Sequence, residues 1–184
     1  MILTDTMAKK ISRHGLWFYK TSKPLTDLSR IAYELSTNGL PITIQTRCKK
    51  RIQQDIVAMV IQHYIDSATD ENERFCREQE MNEYYTHGFF THPEEMNDYI
   101  EDGPFWQYFV NFYENNWLII ENCSHNVVLI EDNNLLNDYE NLSGLVNTLP
   151  LLHKFALKNK KTIIVMLPTN ESITTDFMEK HLLL

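Results

Sequence analysis

Glycine is scarce in this chain, with five residues among 184. Backbone that must approach a phosphate closely is usually built from glycine, so a glycine-rich nucleotide loop finds little support, and a P-loop signature is absent throughout. The three cysteines, Cys48, Cys76 and Cys123, lie at wide, irregular spacing. An odd number so placed suits neither a disulfide framework nor paired zinc knuckles, and they read as reduced thiols. No uncharged apolar run approaches the roughly 18 residues that a membrane helix needs. The chain reaches Lys9 and Lys10 without a signal-peptide core. A soluble, cytoplasmic protein with no membrane segment is expected, and the length suits one domain with a core of its own.

Basic charge is in deficit, 17 Lys and Arg against 25 Asp and Glu, for a net charge of −8. The deficit is uneven. Residues 1–51 hold ten cations (Lys9, Lys10, Arg13, Lys20, Lys23, Arg30, Arg47, Lys49, Lys50, Arg51) against Asp5, Asp27 and Glu34. Residues 66–140 hold eighteen acids against Arg74 and Arg77. Such a dipole marks a nucleic-acid-facing end, an acidic surface imitating nucleic acid, or two faces that attract across an interface; plain solvated surface is the simplest account. The acidic middle would repel phosphate, so direct nucleic-acid binding by the whole molecule is not expected.

What the chain does have is periodicity. Gly15–Lys20 reads as a short strand or an aromatic anchor, and Pro24 opens a helix that runs to about Asn38 and Gly39. Residues 1–40 are thereby expected as a basic N-terminal appendage to a domain spanning 41–184. Alternation over 42–47 predicts a half-buried strand. Ile52, Ile56, Met59, Val60, His63 and Tyr64 then recur at helical spacing. The aromatic stretch 84–113 includes Trp106, Phe109, Val110 and Tyr113 at helical spacing, which predicts core packing, and its exposed members with their flanking acids form a candidate protein-binding surface. Two apolar runs, 117–121 and 127–130, are joined by the polar Ser124-His125-Asn126 and predict a hairpin. A helix over Leu142–Asn159, a strand over Thr162–Leu167 and a short helix over Glu171–His181 complete the order.

Asn170 lies seven residues before Phe177, with His181 and Leu182 following, and Leu151, Leu152, Phe155 and Ala156 sit in the preceding helix. This ending, with the element order from Ile42 onward, resembles the GNAT acyltransferase superfamily. The resemblance implies a single α/β domain with a mixed, mainly antiparallel sheet flanked by helices. It also implies acetyl-CoA or another acyl-CoA as cofactor, held by Ser143, Gly144, Val146, Asn147, Thr148, Asn170 and Phe177. The loop that would cradle the pyrophosphate keeps one glycine, Gly144, and no arginine; Phe177 stands where many members place a proton-donating tyrosine. The expected function is an acyl-CoA-dependent N-acyltransferase-like protein with a degenerate cofactor loop. Glu121, Glu131 and His125 are its candidate catalytic residues, as carboxylates at strand ends and an imidazole in the turn between.

The alternative is a non-enzymatic acidic protein that binds or inhibits a protein partner, imitating nucleic acid; a homodimer stays open. Glu131-Asp132 and Thr169-Asn170 imitate ATPase strand-end positions, but the missing P-loop removes that chemistry. His87 and His92, beside Glu94 and Glu95, lack a third ligand at clear spacing, and no metal is expected.

Overall fold

The computed structural model describes residues 11–38, 40–87, 109–113, 125–131, 148–170 and 176–183. Five strands form one sheet: β1 (Gly15–Thr21), β2 (Ile42–Gln45), β3 (Phe109–Tyr113), β4 (Val127–Ile130) and β5 (Thr162–Pro168), in the order β1-β5-β4-β2-β3. Every pairing between them is parallel. The described helices are α1 (Pro24–Thr37), α2 (Lys49–Ser67), α3 (Glu71–His87), α4 (Thr148–Lys158) and α5 (Asp176–Lys180).

The mixed, mainly antiparallel GNAT-like sheet expected from the sequence is therefore corrected to a parallel one. The predicted hairpin fails for a specific reason. Val127–Ile130 is flanked on one side by β2 and on the other by β5, both parallel, so no edge is left for an antiparallel neighbour from 117–121. Residues 117–124 themselves lie outside the described residues. The physical cause of the misreading is visible in β4 and β5. Both are unbroken apolar runs rich in β-branched residues, the pattern of strands covered on both faces, which is how parallel sheets are built.

Side chains of alternate residues divide between two cores. Ile42, Ile44, Val127, Leu129, Ile164 and Met166 face one layer, formed by Leu28, Ile31, Ala32 and Leu35 of α1 with Ile52, Ile56 and Val60 of α2. Leu16, Phe18, Val128, Ile130, Ile163, Val165 and Leu167 face the other, formed by Leu152 and Ala156 of α4 with Met178 of α5. Each such side chain contributes about 1.5–3 kcal/mol relative to exposure. The segment expected as an appendage supplies β1, paired along its whole length with β5, and α1, which covers one face of the sheet. Pro24 starts α1 because its fixed φ suits the first helical position and its missing N–H would have no partner there. Among the described residues, no helix is long and apolar enough to cross a membrane.

Candidate anion-binding site at the carboxyl edge of the sheet

In an open parallel sheet, ligands bind where neighbouring strands send the chain to opposite faces, because a crevice opens there beyond the strand ends. β2 and β4 are neighbours in this sheet. β2 leads into α2 in one layer, and the next described element after β4 is α4 in the opposite layer.

The turn from β2 into α2 is held by a carboxylate from the neighbouring strand. Glu131, directly after β4, accepts on one oxygen a hydrogen bond from the Thr46 hydroxyl and another, 2.7 Å long, from the Arg47 N–H. Its own N–H donates to the Gln45 carbonyl at 3.0 Å. The Thr46 oxygen in turn accepts from the Cys48 N–H at 2.8 Å. Thr46 is completely buried, so the turn is fixed against the sheet rather than held only at its surface.

Beyond this turn lies an open cleft of about 410 Å³ lined by Arg47, Cys48, Lys49, Lys50, Arg51 and Gln54. Four of these six are cations, all exposed, and no acid lines it among the described residues. Lys49, Lys50 and Arg51 form the first turn of α2, which carries no acidic residue. The N-terminal end of a helix bears partial positive charge and ordinarily attracts Asp or Glu; three cations there are each unfavourable by a few tenths of a kcal/mol to about 1 kcal/mol. The Arg51 guanidinium reaches Asp55 at 3.1 Å, an i,i+4 pair that partly offsets its cost. A bound anion would ease the conflict, accepting N–H bonds and guanidinium or ammonium contacts together.

The expected site residues do not converge here. Glu131 is at the carboxyl edge, whereas His125 precedes β4 at the amino edge, six residues and roughly 20 Å of extended strand away. His125 Nδ1 lies 2.9 Å from the Ile42 carbonyl, which can only accept, so that nitrogen carries the proton. The same ring nitrogen is 3.1 Å from the Thr43 hydroxyl, and the Lys161 ammonium donates to the His125 carbonyl at 2.9 Å. His125 is thus part of the bonding that closes the amino edge. Glu131 is a clamp on the β2–α2 turn.

Asn170 is exposed just after β5, at the carboxyl edge beside β1. Phe177 lies on α5, stacked on His181 with 4.0 Å between ring centroids. Thr148 begins α4, its side chain outside the described set. Glu121, Ser143, Gly144, Val146 and Asn147 lie outside the described residues, as does His92, together with the side chain of His87. Of the surface 84–113, the backbone of residues 84–87 and of β3 is described, and its side chains are not. Among the described residues, no group of three or more His, Cys, Asp or Glu could hold a metal ion.

The signal for the cleft was present in the sequence. A β-branched run ending at Gln45 and Thr46 is followed at once by Arg47-Cys48-Lys49-Lys50-Arg51 and then by helical periodicity, so the basic cluster falls on a strand-to-helix turn. No family model, curated protein or solved structure matches the chain.

Proposed function

We propose that the protein binds a phosphate-bearing anion in the cleft formed by the β2–α2 turn and the start of α2. The single observation that carries this reading is the cation cluster Arg47, Lys49, Lys50 and Arg51 around the positive end of α2, at the carboxyl end of a parallel strand. Arginine and lysine together suit phosphate: the guanidinium fork matches two oxygens, and the ammonium supplies a compact charge. The N-acyltransferase reading drew on an antiparallel sheet and loses that footing in a parallel one. Acetyl-CoA remains a ligand to test because it carries phosphates, as ATP does.

Calorimetric titration and thermal shift with pyrophosphate, ATP, CoA and acetyl-CoA test the proposal. A ligand at a hundred times its Kd stabilises the folded state by about 2.7 kcal/mol. Saturable binding that weakens with added salt and disappears in Lys49→Glu/Lys50→Glu is the expected result. Absence of binding at millimolar pyrophosphate and ATP, with the protein folded, overturns it.

A further inference from the structure

Among the described strands β1 is outermost on its side of the sheet, and His181–Leu183 bond along its outer edge. The Phe18 N–H donates to the His181 carbonyl at 2.9 Å, the Leu183 N–H donates to the Phe18 carbonyl at 2.7 Å, and Leu182 forms a parallel bridge with Phe18. The segment wraps around that edge. Met178 is buried in the core on the α4 face, whereas Leu183 is buried in the core on the α1 and α2 face. His181 sits at the bend between them. An unpaired strand edge is a template for pairing with another chain, so whatever holds this segment down controls access to β1.

Two imidazoles meet at the bend. The rings of His153, on α4, and His181 are 4.5 Å apart at 69°. His181 also stacks on Phe177 and lies 5.8 Å from Trp17 of β1, while Phe177 meets His153 edge-on at 5.7 Å. Their protonation states follow from their partners. The Leu16 N–H donates to His153 Nδ1 at 3.0 Å, so that nitrogen offers a lone pair and the ring is neutral. His181 Nδ1 lies 2.7 Å from the Phe177 carbonyl and therefore donates. The seat of His153 is tight: Gly15 adopts φ +137°, and a Cβ there would stand 2.7 Å from His153 Cε1.

We infer that His153 and His181 form an acid-sensitive latch that holds Asp176–Leu183 against β1 while neutral and releases it when the pair becomes charged. His153 can accept a proton only at Nδ1, which breaks its bond to Leu16 and sets two donors facing each other. Once both rings are charged they repel at van der Waals range, and no carboxylate among the described residues is paired with either. Among the described residues, neither ring is ion-paired. His14 and Lys20 at the ends of β1, Lys154 and Lys158 of α4, and Asp176, Glu179 and Lys180 of α5 are all exposed and make no ion pair with them. Burial, and next the charge of His181, hold His153 below the usual imidazole range, in agreement with the geometry.

Amide hydrogen exchange of the whole protein, corrected for intrinsic rates and followed by NMR, tests the latch. Between about pH 8 and about pH 5, the interval in which imidazoles charge, protection of the Phe18 and Leu183 amides should fall while the Ile164 amide stays protected. The fall should be about tenfold or more. His153→Gln, which still offers an acceptor to Leu16, and His181→Phe, which keeps the stack, should each reduce the pH response. Unchanged protection across the interval, or an equal loss in the double variant, overturns the inference. If either variant fails to fold, the wild-type ring titrations decide: a His153 that titrates at or above its ordinary range overturns it as well.

Discussion

Glu131 and Thr46, 85 residues apart in sequence, are joined by a hydrogen bond from the threonine hydroxyl to the glutamate carboxylate. The bond ties the end of β4 to the turn that opens α2, and with the Arg47 N–H it makes Glu131 an acceptor for two donors of that turn. A similar arrangement closes β1. Thr21 donates to Asp27 and accepts from the Lys23 N–H at 3.0 Å, and the Thr169 N–H after β5 donates to the Thr21 carbonyl at 2.9 Å. At both places a threonine at or just after the end of a strand bonds through its hydroxyl to a carboxylate, Asp27 in the first turn of the following helix or Glu131 just after the neighbouring strand. The turns above the carboxyl edge are thereby fixed before any ligand arrives, which lowers the ordering cost of binding.

Substitution at Glu131 should separate clamping from charge. Glu131→Ala leaves the buried Thr46 hydroxyl and the Arg47 N–H without their acceptor and should cost about 1–3 kcal/mol in urea unfolding. Glu131→Gln keeps an acceptor while removing a negative charge near the cleft. It should lose less stability and bind pyrophosphate more tightly than the wild type by calorimetry. Equal stabilities of the two variants would show that the hydrogen bonds are not what holds the turn.

The cations of α2 should trade stability for binding. Lys50→Glu replaces an unfavourable charge at the positive end of a helix with a favourable one, and should stabilise the unliganded protein by about 0.3–1 kcal/mol at low salt. The same substitution should abolish the thermal shift produced by pyrophosphate. A lower melting midpoint without ligand would contradict the electrostatic account.

Position in the layers should set the cost of apolar truncation. Ile164, completely buried in the sheet between β1 and β4, should lose about 2–5 kcal/mol as Ile164→Ala. Phe75 on α3 is 62% exposed. Phe75→Ala should therefore change stability by no more than about 0.5 kcal/mol. Chemical denaturation of both variants checks the contrast.

Acid should weaken the fold through His153. Its folded-state pKa is lowered, so the unfolded chain takes up the proton first as pH falls. Stability attributable to this group is complete above the unfolded imidazole value of about 6.5, declines as pH falls below it, and levels off below the folded value. In a series of melting midpoints against pH, His153→Gln should remove this part of the decline. A wild-type curve flat across that window would exclude it.

Much of the local structure was legible from the residues. The proline start of α1, the periodicity of Ile52, Ile56 and Val60 in α2, and the apolar run of β5 each depend on neighbours within a turn or a few strand positions. The direction of pairing was not legible. Val127–Ile130 has the same composition whether its partner is an antiparallel neighbour or two parallel strands, and the polar turn before it favoured the first. The site was half legible for the same reason. Glu131 stood out as a strand-end carboxylate, but its partners, Thr46 and Arg47, reach it only through the strand order. His125 and Glu131 looked adjacent because they are close in sequence, yet a strand holds them at opposite edges of the sheet.

The sequence by itself indicated most of the strands and helices and set a cluster of cations close to the turn into α2; it missed β3, whose Phe109, Val110 and Tyr113 sit at helical spacing but form a strand. Those features follow from side-chain volume, branching and charge spacing, which act over a few residues. Only the tertiary structure decided that the strands run parallel, that β2 lies beside β4, and that His181 meets His153. Contacts between residues far apart in the chain are chosen by how two buried faces are covered at once. That is a property of the assembled layers, not of any segment alone.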